Sequence, residues 1–178
     1  GQPPVKGVNV DEAVALGAAV YAGLNTSSSD LSATQKKSLK DVKLSDISNL
    51  YFGTGMADRD PSTGADIVVN DILIPRNTKL PYSITKPYVT RYDGQTAINC
   101  DVTQSEHEEK DMEFVNVIAN EELKLPPDRP AGQPIEVTFS YDKSGMMHCE
   151  FIDINTGEKA IIDLRPDSSL NPDDAELD

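Results

Sequence analysis

An all-β chain, folded as an antiparallel β-sandwich behind an N-terminal helix and a linker, is the fold class this sequence predicts. Three observations carry it. Between Gly132 and Asp163 apolar residues recur with the period of two that gives a strand one buried and one wetted face. Ile135, Val137, Phe139 and Tyr141 alternate with Glu136, Thr138 and Ser140, and Met147, Cys149 and Phe151 follow. Turn signals punctuate the runs, at Asp93-Gly94, at Asp142 to Gly145 and at Asn155-Thr156-Gly157. Only one stretch, near the start, is clearly helical.

That stretch is Asn9 to Gly23. Asn9 is a good N-cap, Glu12 completes a capping box, and Gly23 is a natural stop. Val10, Ala13, Val14, Gly17, Val20 and Tyr21 form its stripe, rich enough in small residues to demand close packing against a large body. Thr26 to Lys40 is Ser-rich, then basic, and reads as a flexible connector. The apolar residues of Asp41-Val42-Lys43-Leu44-Ser45-Asp46-Ile47 are bracketed by aspartates.

Leu50 to Ala57 is the first expected strand. Asp58 to Asp66 imitates a calcium loop but places Thr63 where the sharp turn needs Gly and Val69 where a bidentate Glu belongs, so it is read as a solvated hairpin loop. Ile67 to Val69 and Ile72 to Ile74 are short apolar runs. Pro75, Pro81 and Pro87 each lack a ladder donor and belong at edges or in loops. Tyr88 to Tyr92, the Asp93-Gly94 turn and Ala97 to Thr103 are expected to form a hairpin. Glu106 to Asp111 is a solvated charged loop, Phe114 to Ile118 a further strand, and Leu125 to Pro130 a stiff surface connection. The three-stranded meander ends with Lys159 to Leu164, and His148 faces out.

Composition narrows the function classes. At 178 residues the chain can bury one substantial core, and no apolar run approaches the ~18 residues of a membrane-spanning helix. No secretory signal opens it. Cys100 and Cys149, in no metal-ligand spacing, read as small buried residues in a reducing compartment, and a cytoplasmic location is expected. The net charge of -14 falls entirely after residue 48, because residues 1–48 are balanced. Nucleic acid and anionic membrane are therefore not expected as partners. No phosphate loop, nucleophile elbow or His-Glu-x-x-His motif is present, so no catalytic or metal-binding residue is assigned.

Several motifs carry a family resemblance. They are Gly132-x-Pro134-Ile135-Glu136-Val137-Thr138-Phe139, the pair Asp142 and Gly145, Asp153 ahead of Asn155-Thr156-Gly157, and Leu170 with Asp173 and Asp174. Asn77-Thr78-x-Leu80-Pro81, Gln104-Ser105-Glu106 and the helix Val8 to Val20 add to them. Together they resemble the 70-kDa heat-shock chaperones of the DnaK type. The resemblance implies four parts. Residues 1–25 would be the last helix of an actin-like ATPase domain, 26–47 the interdomain linker, 48–166 the β-sandwich that binds peptide, and 167–178 the start of a helical lid that is otherwise absent.

The function it implies is chaperone binding of extended, apolar segments of unfolded polypeptide, under control of the ATPase domain. Alignment with the family places the peptide site at Thr54, Met56, Ala57, Tyr88, Arg91, Ile98 and Cys100, with Arg91 and Ala57 arching over the bound backbone. Thr54, Tyr88, Arg91 and Cys100 depart from the family's usual apolar residues, which predicts a smaller or more polar pocket. The linker would consist of Asp41, Val42, Leu44, Asp46 and Ile47, with Lys43 and Ser45 interrupting its apolar run. No cofactor is expected within this chain, ATP and magnesium belonging to the ATPase domain of the full-length protein. The partners implied are that domain, a J-domain co-chaperone and a nucleotide exchange factor. Self-association through Leu39, Val42 or Leu44 is a further expectation. Two alternatives stay open: a co-chaperone or exchange-factor relative that binds peptide weakly, and an unrelated adhesive or carbohydrate-binding sandwich.

Overall fold

The computed structural model describes residues 10–40, 42 and 45–165, in two compact units divided between Ser45 and Asp46. In the first unit, α1 (Val10–Asn25) leads through a 3-10 turn at Ser28–Asp30 to α2 (Ala33–Leu39). The expected N-cap, Asn9, lies outside the described residues. Gly23 does not end α1. The helix stops two residues later, where Asn25 Nδ2 donates to the Tyr21 carbonyl (2.9 Å) and Thr26 Oγ1 to that of Ala22 (2.7 Å), satisfying carbonyls the helix leaves open. What Gly23 provides is clearance, since a Cβ there would stand 2.7 Å from Leu39 Cδ1. The segment expected to be a flexible connector is therefore partly helical. Ser32 and Gln35 cap α2 reciprocally, a Ser-x-x-Gln signal that the Ser- and Lys-rich composition obscured. On α1, Val14, Leu16 and Tyr21 remain exposed.

The second unit contains eight strands: β1 (Tyr51–Arg59), β2 (Asp66–Ile74), β3 (Tyr82–Val89), β4 (Ala97–Ser105), β5 (Asn116–Lys124), β6 (Pro134–Tyr141), β7 (Met147–Asp153) and β8 (Lys159–Leu164). They form two antiparallel four-stranded sheets, ordered β2-β1-β4-β5 and β3-β6-β7-β8. Alternation dictates the second sheet: Ile135, Val137, Phe139, Met147, Cys149 and Phe151 all turn inward, and Phe139 meets Phe151 edge to face at 6.1 Å. From the first sheet Phe52, Leu73, Ile74, Val102 and Leu123 pack into the same core. The fold class is the expected all-β sandwich.

Several local expectations are corrected. Tyr88 to Thr103 is not a hairpin. β3 pairs with β6, β4 pairs with β1 and β5, and the Asp93-Gly94 turn carries the chain from one sheet to the other. Backbone bonds from Thr90 to Gln133 (3.0 Å) and from Gly94 to Arg129 (2.7 Å) tie this crossing to the β5–β6 connection, an alternative partner that a local turn signal cannot reveal. The two apolar runs around Asn70-Asp71 belong to one strand, β2. Phe114 ends a 3-10 turn at Met112–Phe114, held by Asp111 accepting from the Glu113 amide, and β5 begins only at Asn116. Asp46 and Ile47, read as linker, run alongside residues 79 and 80: the Asp46 carbonyl accepts from Leu80 N (2.8 Å) and Ile47 bridges Lys79. Of the other linker residues Val42 is exposed, whereas Asp41 and Leu44 lie outside the described residues, as does 167–178.

Pro87 sits on β3, an edge strand, where a missing donor breaks no ladder. Between Leu125 and Gln133 the chain crosses sheets again, and the connection is pinned rather than merely stiff. Arg129 forms a two-pronged ion pair with the fully buried Asp153, and its guanidinium also holds Gln133 Oε1 (2.8 Å). Asp153 additionally accepts from the Asn155 amide (3.0 Å), so the Asp-x-Asn-Thr-Gly string is one half of a buried clamp. Arg129 holds its carboxyl below the usual carboxylate range.

Candidate binding cleft

β1 and β4 are neighbours for only three register pairs, Tyr51↔Ser105, Phe52↔Gln104 and Gly53↔Thr103. Each pairs with its outer neighbour over eight. Both strands shift register at the level where they part, β1 between Phe52 and Gly53, β4 between Val102 and Thr103. Beyond that level residues 54–59 and 97–102 face each other with no ladder between them. Two strand edges are thus presented to whatever enters the gap.

A buried polar tie holds the closed end. Asn70 of β2 accepts from Thr103 Oγ1 of β4 at 2.6 Å, although β1 runs between them. Gly53 permits it: a Cβ there would lie 2.7 Å from Asn70 Oδ1 and 2.5 Å from the Asp71 carbonyl oxygen. The Asn70 amide groups in turn donate to the carbonyls of Glu109 (2.8 Å) and Lys110 (2.7 Å), fastening the charged 106–111 loop over this end. Every polar atom of the tie has a partner, which makes it rigid.

Where the strands part, a cavity of about 560 Å³ opens. Its floor is apolar and comes from the opposite sheet: Ile135 and Val137 of β6 and Phe151 of β7. Thr54 to Ala57 of β1 form one wall, and Ala97, Ile98, Asn99 and Asp101 of β4 the other. Of the residues selected from sequence, Thr54, Met56, Ala57, Tyr88, Arg91 and Ile98 line this space. Cys100 does not. It faces the sandwich core, fully buried, where desolvation pushes its thiol up to about 12.

Tyr88 and Arg91 reach the cavity from β3 and the crossing that follows it. The Tyr88 hydroxyl donates to Asp71 Oδ2 (2.7 Å), while Lys86 Nζ takes Asp71 Oδ1 (2.9 Å) and the Ile72 carbonyl (3.0 Å). One carboxylate on β2 therefore holds the β3 wall in place across the sheets. Burial, reinforced by Asp71, raises the Tyr88 phenol, so it remains a donor at any physiological pH. Arg91 does not reach freely over the opening. Its guanidinium is ion-paired with Asp66, which also bonds Tyr92 Oη (3.1 Å), and its backbone amide donates to Gln95 Oε1 (3.0 Å). The Arg91 bond holds the Asp66 carboxyl below its ordinary range.

Sequence reading missed the floor, because Ile135, Val137 and Phe151 look like any other core positions. It also missed Gly53 and Asn70, whose only sequence signal is a glycine inside a strand pattern. The arrangement provides strand edges for a backbone and an apolar recess for a side chain. A family model described as Hsp70 protein matches residues 1–177. On that match, which spans nearly the whole sequence, the chain belongs to the Hsp70 family and has a chaperone-type function.

Proposed function

We propose that residues 46–165 form the peptide-binding domain of an Hsp70 chaperone, and that an extended segment of unfolded polypeptide lies in the gap between β1 and β4. The observation that carries this reading is the parting of two strand edges directly above an apolar floor. An extended chain offers backbone groups to such edges, which bind without regard to sequence, and alternate side chains to the recess, which supply preference. Burying one Leu-sized side chain contributes ~1.5 to 3 kcal/mol. Polar Thr54 and Tyr88 on the walls favour weaker binding and a shifted selectivity compared with an all-apolar pocket.

On the same reading α1 ends an ATPase domain, the segment up to Ser45 is the linker, and residues 167–178 begin a lid. The ATPase domain, a J-domain co-chaperone and an exchange factor are the proposed partners, in the cytoplasm. ATP and magnesium do not fit the cleft. Its floor is apolar, Asp101 on its wall repels phosphate, and Arg91 is committed to Asp66.

Fluorescence anisotropy with a labelled Leu-centred peptide tests the proposal. Saturable binding that Ile98→Asp abolishes is the expected result. If the folded chain binds no such peptide, the reading fails in favour of a co-chaperone relative.

A further inference from the structure

We infer that Met146 and His148 form a binding site for a soft monovalent cation, Cu(I) or its redox-inert analogue Ag(I), on the outer face of the second sheet. Strand alternation puts the two side chains there. Met147, Cys149 and Phe151 of β7 are buried in the core, so Met146, immediately before the strand, and His148 project from the opposite face. Two residues apart on one face, their Cα atoms are separated by roughly 6.6 Å, a span that an imidazole and a flexible, unbranched thioether can close around one ion. Both line a cavity of about 380 Å³, together with Pro81 and with Ser140 of β6.

Each donor is held from behind. Gly145, at φ 84°, shapes the turn between β6 and β7, and Asp142 fastens Met146 through both backbone groups. The Asp142 carboxylate accepts from the Met146 amide (2.9 Å), and the Asp142 amide donates to the Met146 carbonyl (2.9 Å). Asp163 of β8, opposite His148 in register, accepts from His148 Nδ1 at 2.6 Å. An ionised carboxylate only accepts, so in the neutral ring the proton sits on Nδ1 and Nε2 carries the lone pair. A carboxylate in this place behind a metal-binding imidazole fixes the ring and raises its basicity. Neither Nε2 nor the Met146 sulfur is hydrogen-bonded to a described residue. The neighbouring hydroxyls of Ser83 and Ser140 are bonded to each other at 2.7 Å.

The donor set selects the ion. A thioether is a soft, neutral ligand that hard cations pass over, and the nearest thiol in sequence, Cys149, points into the core, so no thiolate is at hand to favour zinc. Asp163 adds one negative charge behind the ring, matching a monovalent ion. The His148 side chain is 48% exposed, which leaves a path of entry.

Silver nitrate titrated in chloride-free buffer into the full 178-residue chain, with methionine methyls and histidine rings observed by NMR, tests the inference. The Met146 methyl and the His148 ring should shift together and saturate at one equivalent, with Met56, Met112 and His107 unmoved. Met146→Leu and His148→Gln, both on the outer face, should each abolish the saturable shift of the remaining partner. Asp163→Asn should weaken binding about tenfold. Zinc should leave the Met146 methyl in place. A shift of His148 without Met146, or equal shifts at all exposed methionines, would overturn the inference. So would silver that perturbs the core before these two residues, which would assign it to the buried thiols of Cys100 and Cys149. The wild-type titration decides between these outcomes whether or not a variant folds.

Discussion

The two sheets of the sandwich are built to different degrees of completeness. In the second, β6 pairs with β3 and β7, and β7 with β8, over essentially the full length of the strands. In the first, the outer pairings are just as long, yet the central pair β1–β4 closes over three positions and then opens. The difference separates two roles within one fold. The complete sheet supplies one side of the core and the cavity floor. The incomplete one leaves strand edges that a folded domain would normally pair or cover, and such edges persist only because the Asn70–Thr103 tie and the Asp71 bonds hold their surroundings still.

If this division is right, damage to the complete sheet should be read out as stability and damage at the parting point as binding. The largest effect is expected for Phe139→Ala, which empties the centre of the second sheet and should lower stability by ~3–5 kcal/mol in urea unfolding. Next comes Arg129→Met, which removes the partner of buried Asp153. In the native chain this carboxyl is held low, so its stabilising contribution is present above the ordinary carboxylate pKa of about 3.9 and is lost as pH falls through the lower folded value. Without Arg129 that loss begins at higher pH, so the acid transition followed by circular dichroism should move upward. An unchanged transition would mean the clamp is not needed. Gly53→Ala should cost ~1–3 kcal/mol by forcing β1 from the Asp71 carbonyl, and should weaken peptide binding more than Phe139→Ala does at temperatures where both remain folded. The smallest effect, ~0.5–1.5 kcal/mol, is expected for Tyr88→Phe, accompanied by faster peptide release in stopped-flow measurements as the β3 wall loosens.

The same contrast explains what the sequence made legible. β6, β7 and β8 were visible because each has one face in the core and a tight turn to the next, so periodicity and turn chemistry agree. The Asp93-Gly94 turn was equally visible and misleading. Turn residues report that the chain reverses, not which strand receives it, and here the reversal crosses between sheets. β5 was misjudged because its acidic, edge-exposed residues Glu121 and Glu122 carry no alternation. Thr54, Met56, Ala57, Tyr88, Arg91 and Ile98, selected by the family resemblance, lie around the cavity on β1, β3, β4 and the crossing that follows β3. Cys100 fails by strand alternation, lying between Asn99 and Asp101 on the opposite face. The floor depends on which strands of the other sheet lie beneath the gap, a long-range fact that no local window contains.

Amide hydrogen exchange with and without a saturating Leu-centred peptide tests the central claim most directly. The parted edges should gain protection together, at residues 54–57 of β1 and 97–101 of β4, while β7, already paired on both sides, stays unchanged. Protection confined to the second sheet, or none at the parted edges despite bound peptide, would contradict the assignment of the β1–β4 gap as the binding site.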